Sequence, residues 1–167
     1  MKIPMPAPAF FAHAALGGVA ALAFALCPIG AMAKDLPDGG LTIEEVASWL
    51  QNEGYKAEVT KSDDGTPEIN SSSNGHDFHI YMYDCDQGRC ASLQFWEGFD
   101  TKGAFNAEKM NDWNMTKRWA RAYVDKENDP WVEYDVDLAP GGTYEGLKDQ
   151  FGIWQDSLER FRKYIGW

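Results

Sequence analysis

Residues 79–96, His-Ile-Tyr-Met-Tyr-Asp-Cys-Asp-Gln-Gly-Arg-Cys-Ala-Ser-Leu-Gln-Phe-Trp, decide the fold. Two runs rich in aromatic and apolar residues flank a polar, glycine-containing tip, the pattern of a β-hairpin. A bond between Cys85 and Cys90 would make those two residues cross-strand neighbours over a four-residue loop and fix the register behind them. Ile80 then faces Phe95 and Met82 faces Leu93 on one side of the ribbon. On the other side His79 faces Trp96, Tyr81 faces Gln94 and Tyr83 faces Ser92. The first side is core. The second, with His79, Tyr81, Tyr83, Gln94 and Trp96, is amphipathic and aromatic, and is either a packed second layer or an exposed binding face.

Whether those cysteines join depends on the compartment, which the N-terminus addresses. Met1 to His13 carries one fixed charge, Lys2, and the run from Ala14 to Leu26 carries none. That run is shorter than the roughly 20 residues a membrane-spanning helix needs. It ends at Pro28 and Gly30, followed by Ala31-Met32-Ala33, the small-x-small pattern of a signal-peptidase site. The reading is a signal peptide over 1–33, cleaved between Ala33 and Lys34, then a short linker over 34–40 and a domain over 41–167. An uncleaved anchor is the alternative. A lipoprotein is excluded because Leu26, just before Cys27, is too large for the lipidation motif. The expected location is the periplasm or the exterior, with no stable membrane anchor after cleavage.

Loss of the leader removes one lysine and no acid, so the formal charge moves from −11 for the whole chain to −12 for the mature one. Such a field repels phosphate backbones and anionic bilayers, so no nucleic-acid partner is expected. Cys27 leaves with the leader, and two nearby cysteines in an oxidising compartment point to a disulfide. Zinc would need further soft ligands, and His76 and His79 lack a recognisable spacing with the cysteines. A redox pair is normally Cys-x-x-Cys, whereas four residues intervene here.

Outward from the hairpin, Thr42-Ile43-Glu44-Glu45 is a capping box, and Ile43, Val46, Trp49 and Leu50 share one helical face, giving a helix over 42–54. Lys56 to Lys61 and Pro67 to Ser71 read as strands, with turns at Ser62–Thr66 and Asn74-Gly75. A helix is predicted from Ala104 to about Asn111, closed by Asn111-Asp112-Trp113-Asn114. Trp119–Asp125 and Trp131–Leu138 form a third hairpin. Its apolar faces pair so as to set Arg121 opposite Asp135 as an exposed ion pair, and Glu133, Asp135 and Asp137 form a wet acidic face. Pro140-Gly141-Gly142 breaks the chain before a last helix, whose Leu147, Phe151, Trp154, Leu158, Phe161 and Ile165 make a heptad stripe. That stripe packs within the fold or forms a homodimer seam.

These residues resemble the YbjN family. The resemblance rests on Leu41 to Val46 with Trp49, Leu50, Gly54 and Tyr55. It also rests on Tyr83-Asp84-Cys85 with Cys90 and Leu93 to Phe95, on Asn111, Trp113 and Asn114 with Arg118 and Arg121 to Tyr123, and on Glu133 with Asp135 to Asp137. It implies an α+β fold, an antiparallel β-sheet with flanking helices in the order α-β-β-β-β-α-β-β-α, similar to type III secretion chaperones. It further implies protein binding or a part in sensory transduction, and does not itself imply an active site.

The residues themselves supply little for catalysis. The carboxylates at 133, 135 and 137 lie on a predicted outward face, and only His76 and His79 remain after export, one on each side of a strand. Asp84, Asp86 and Gly88 echo a calcium loop, but its twelfth position is Phe95 where glutamate is required. The expectation is a non-enzymatic protein-binding or regulatory module with no cofactor and no metal. The alternative is a small polar-ligand or enzymatic pocket around Asn111, Trp113, Asn114, Arg118 and Arg121, against the simpler reading that the asparagines satisfy backbone groups and the tryptophan plugs the core.

Overall fold

The computed structural model describes residues 33–167. The proposed leader lies outside these residues, apart from Ala33 at its cleavage point. The elements are α1 (Ile43–Asn52), β1 (Lys56–Lys61), β2 (Pro67–Ser73), β3 (His76–Asp86), β4 (Arg89–Gly98), α2 (Ala107–Thr116), β5 (Arg121–Val124), β6 (Pro130–Asp137) and α3 (Tyr144–Ile165). This is the α+β order read from the sequence. The strands form one antiparallel sheet in the order β1-β2-β3-β4-β6-β5.

The central hairpin has the expected register: His79 pairs with Trp96, Ile80 with Phe95, Tyr81 with Gln94, Met82 with Leu93, Tyr83 with Ser92 and Cys85 with Cys90. Cys85 and Cys90 form a disulfide. The strands continue past it to the pair Asp86 and Arg89, so the tip is the two residues Gln87 and Gly88 rather than four. Both have positive φ, which suits a tight two-residue hairpin turn. Arg89 then reaches α1, donating to Gly40 O at 2.7 Å and pairing with Glu45 at 2.7 Å. Glu45 also completes the capping box on Thr42, so one carboxylate serves both contacts.

All three helices contribute to a core on one face of the sheet. From α3, Leu147, Phe151, Trp154, Leu158 and Phe161 are buried, and Trp154 packs on Phe78 and Phe95. The heptad stripe is therefore covered within the chain by the sheet, and is not free to serve as a seam.

Two expected elements differ. Helix α2 starts later and runs further, because Asn106 caps it by accepting the Lys109 N–H at 2.9 Å. Asn111 to Asn114 consequently lie inside the helix and do not close it. The third hairpin is shifted by two residues, so that Arg121 pairs with Glu133 rather than Asp135. The cause is the loop: Asp125 N–H donates to Asp129 O, and the Asp125 carboxylate accepts from the N–H groups of Glu127 and Asp129. That closure places the loop at 125–129, one residue earlier than the expected 126–130. The shift is even, so each side chain keeps its face.

Residues 34–41 lie along the domain. Leu36 N donates to Gly142 O, Tyr144 N to Lys34 O, and Leu41 exchanges both backbone bonds with Cys90. The Lys34 backbone N–H is 3.0 Å from Glu145 Oε2. Gly40, at φ +87°, sits so close to β4 that a Cβ there would come within 1.9 Å of the Cys90 carbonyl oxygen.

Candidate functional site

The face of the sheet away from this core carries a row of stacked rings crossing four strands. On β3, His79 and Tyr81 both stack on Trp96 of β4, with centroids at 4.5 Å and 5.1 Å. Trp96 stacks on Trp131 of β6 at 5.0 Å, and Trp131 on Tyr123 of β5 at 6.4 Å. Cross-strand neighbours on one face can stack this way because their Cβ atoms project together. Trp131 finds room because its partner is Gly98, where an added Cβ would come within 2.7 Å of the indole.

The row answers the question of packed layer or open face with both. His79, Tyr81, Trp96 and Trp131 are half-buried in one another, while Tyr83 and Tyr123 are exposed. Gln94 is buried beneath and donates to Asp135 at 2.7 Å. Burial and the carboxylates of Glu133 and Asp135 raise the Tyr83 hydroxyl above its ordinary pKa.

Two carboxylates lie low in this face. Glu133 is 8% exposed, accepts the Tyr123 hydroxyl at 2.7 Å and pairs with Arg121 at 2.5 Å. The expected wet acidic strand is therefore wet only at Asp135 and Asp137. Glu133 turns inward because a tyrosine and an arginine on the neighbouring strand supply its partners. Glu68, opposite Tyr81 on β2, is 5% exposed. One of its oxygens is 3.6 Å from His79 Nδ1 and the other makes no hydrogen bond. Sequence reasoning passed over Glu68, Trp131 and Tyr123. The signal was the period of two, which puts Glu68, Asn70 and Ser72 on one side of β2 and Trp131 on the side of Glu133.

The second cluster is not gathered into one pocket. Trp113 is buried and donates its indole N–H to Ala120 O at 3.1 Å. Asn114 donates to Ala122 O at 2.9 Å and accepts from Ala122 N at 2.8 Å. Asn111 is exposed, with its amide 3.4 Å from Met115 Sδ. The Arg118 guanidinium lies 4.5 Å over the Trp119 ring, and Arg121 belongs to the sheet face. Backbone satisfaction thus accounts for Trp113 and Asn114. Among the described residues, no group of three or more His, Cys, Asp or Glu side chains could hold a metal ion.

The model of the YbjN family, described as "Putative bacterial sensory transduction regulator", matches residues 42–167, which takes in every helix and strand of the described residues. The chain belongs to the YbjN family. No curated protein matches it. Within this YbjN domain the stacked row, the disulfide hairpin and the Asn114 contact all fall inside the matched range. The family description is that of a regulator.

Proposed function

We propose that the chain is exported, loses residues 1–33, and acts in the periplasm or outside the cell as a non-enzymatic protein-binding or regulatory module. The observation that carries this reading is the uncovered face of the sheet, where His79, Tyr81 and Trp96 stack in one row with Trp131 and Tyr123, Tyr83 is exposed on the same face and Gln94 lies buried beneath. Half-buried aromatic rings held rigid by mutual stacking lose little side-chain entropy on binding, which suits them to anchor a partner. The leader-like sequence ahead of Lys34 and the disulfide support an oxidising compartment.

The test is capture from periplasmic extract by the oxidised domain beginning at Lys34, compared with Tyr81→Ser combined with Tyr83→Ser. The expected result is one stoichiometric partner that the double variant loses while its circular dichroism is unchanged. Equal capture by both would reject this face. N-terminal sequencing of the exported protein is expected to begin at Lys34, and a chain still starting at Met1 would reject the export reading.

A further inference from the structure

Between α2 and β5 the chain makes a turn that costs it conformational energy. Both ends are pinned: Lys117 N donates to Trp113 O at 2.8 Å, and the buried Trp113 indole holds the carbonyl of buried Ala120. Between them Trp119 has φ +80°. A positive φ is costly for any residue with a Cβ and rare for one as bulky as tryptophan. Packing does not repay this, because Trp119 is 56% exposed. Glycine would satisfy the turn without strain.

The same turn walls a cleft of about 470 Å³ together with Thr116, Lys117, Arg118, Ser157 and Arg160. Three cations line it and no carboxylate does, in a chain whose formal charge is −11. Arg160 pairs with Asp156 at 3.3 Å, a contact exposed on both sides and weak for that reason. Arg118 is already laid flat over the Trp119 ring, an arrangement that fixes its plane and leaves its N–H edge for an acceptor.

We propose that this cleft binds the carboxylate side chain of an acidic segment in a partner protein. Arg118 and Arg160 supply the guanidinium edges, Lys117 a third charge, and Trp119 the apolar contact for the neighbouring side chain. The net negative charge of the chain disfavours a long polyanion such as nucleic acid, whereas one or two carboxylates meet a locally positive wall. Exposed tryptophan and arginine are among the residue types enriched at protein contacts. This site is separate from the ring row on the sheet and does not rest on it.

The probe is a capped Glu-Leu-Glu-Leu peptide, with capped Gln-Leu-Gln-Leu as its neutral counterpart, titrated while the Trp119 indole N–H resonance is followed by NMR. The Glu peptide is expected to shift that resonance to saturation and the Gln peptide to leave it in place. Arg118→Gln is expected to weaken binding about tenfold or more without moving Tm, the loss of one charge-assisted pair. Trp119→Gly is expected to raise Tm while binding of the Glu peptide, now followed by calorimetry, is lost. Equal shifts by the two peptides, unchanged affinity in both variants, or saturation by acetate at the same concentrations would overturn the proposal. So would a dimer in light scattering that Arg118→Gln dissociates, since the occupant would then be a second copy. The Tyr81→Ser, Tyr83→Ser protein should keep the peptide response, so failure of the sheet-face reading and failure of this one show in different variants.

Discussion

Asn114 pairs both polar atoms of its amide with the backbone of Ala122, donating to the carbonyl and accepting from the N–H. β5 is the last strand of the sheet, so this one side chain does for its outer edge what a further strand would do. Asn114→Ala should leave both groups without protein partners and cost about 1–3 kcal/mol. Asn114→Asp, which keeps the acceptor and loses the donor, should be no better. Urea unfolding reads this directly, and a midpoint within error of the unmodified protein would show that water serves Ala122 as well.

Gly40 is held against β4 by the two backbone bonds between Leu41 and Cys90. Gly40→Ala must move the chain away from the Cys90 carbonyl, as well as strain a φ of +87°. A clear fall in Tm is expected, beyond the roughly 1 kcal/mol that φ alone accounts for. Gly39→Ala is the control, since a Cβ there would meet nothing within 4 Å.

Glu97 sets a pH dependence. Burial, reinforced by the Asp77 carboxylate and partly opposed by Arg162, pushes its carboxyl up to about 8 from an ordinary 4.5. The folded value is the higher one, so as pH rises the unfolded chain loses its proton first. The contribution to stability is whole below about 4.5 and is lost progressively toward 8, with a limiting slope of roughly 1.4 kcal/mol per pH unit for one proton. Glu97→Gln should match the unmodified protein near pH 4 and exceed it near pH 8 in denaturant unfolding. A difference that does not grow with pH would refute the assignment.

The Cys85–Cys90 disulfide closes a short loop, so its entropic contribution is only about 2 kcal/mol. The double substitution Cys85→Ala with Cys90→Ala should lower the free energy of urea unfolding by that amount and leave the hairpin pairing intact, because Arg89 still ties the tip to α1. Loss of the paired-strand amide pattern in NMR would mean that the bond, and not the register, holds the tip.

What was legible in the sequence follows from how many constraints met at each place. The register of β3 on β4 behind the disulfide was read to the residue because a covalent pair and a period of two agreed there. The third hairpin slipped because the place where its loop closes depends on the hydrogen bonds of the Asp125 carboxylate, which composition does not express. The partnership of β4 with β6 skips β5, and without it Trp131 could not be placed beside Trp96. Glu133 read as solvated because alternation reports which face a side chain is on, and not what covers it there. Of the candidate face, His79, Tyr81, Tyr83, Gln94 and Trp96 were legible as a group. Its extension through Trp131 to Tyr123 was not.

The place where Lys34 meets Glu145 gives the beginning of the domain a chemical identity. While any residue precedes Lys34, its nitrogen is a neutral amide donating one hydrogen bond across 3.0 Å. Were the chain to start there, the same nitrogen would be an ammonium facing a carboxylate in the first turn of α3, and a neutral contact would become an ionic one. A peptidase cutting after Ala33 would then do more than release a leader. It would switch on a charge that fastens the new first residue to the last helix, leaving the finished protein firmer at its N-terminus than its precursor.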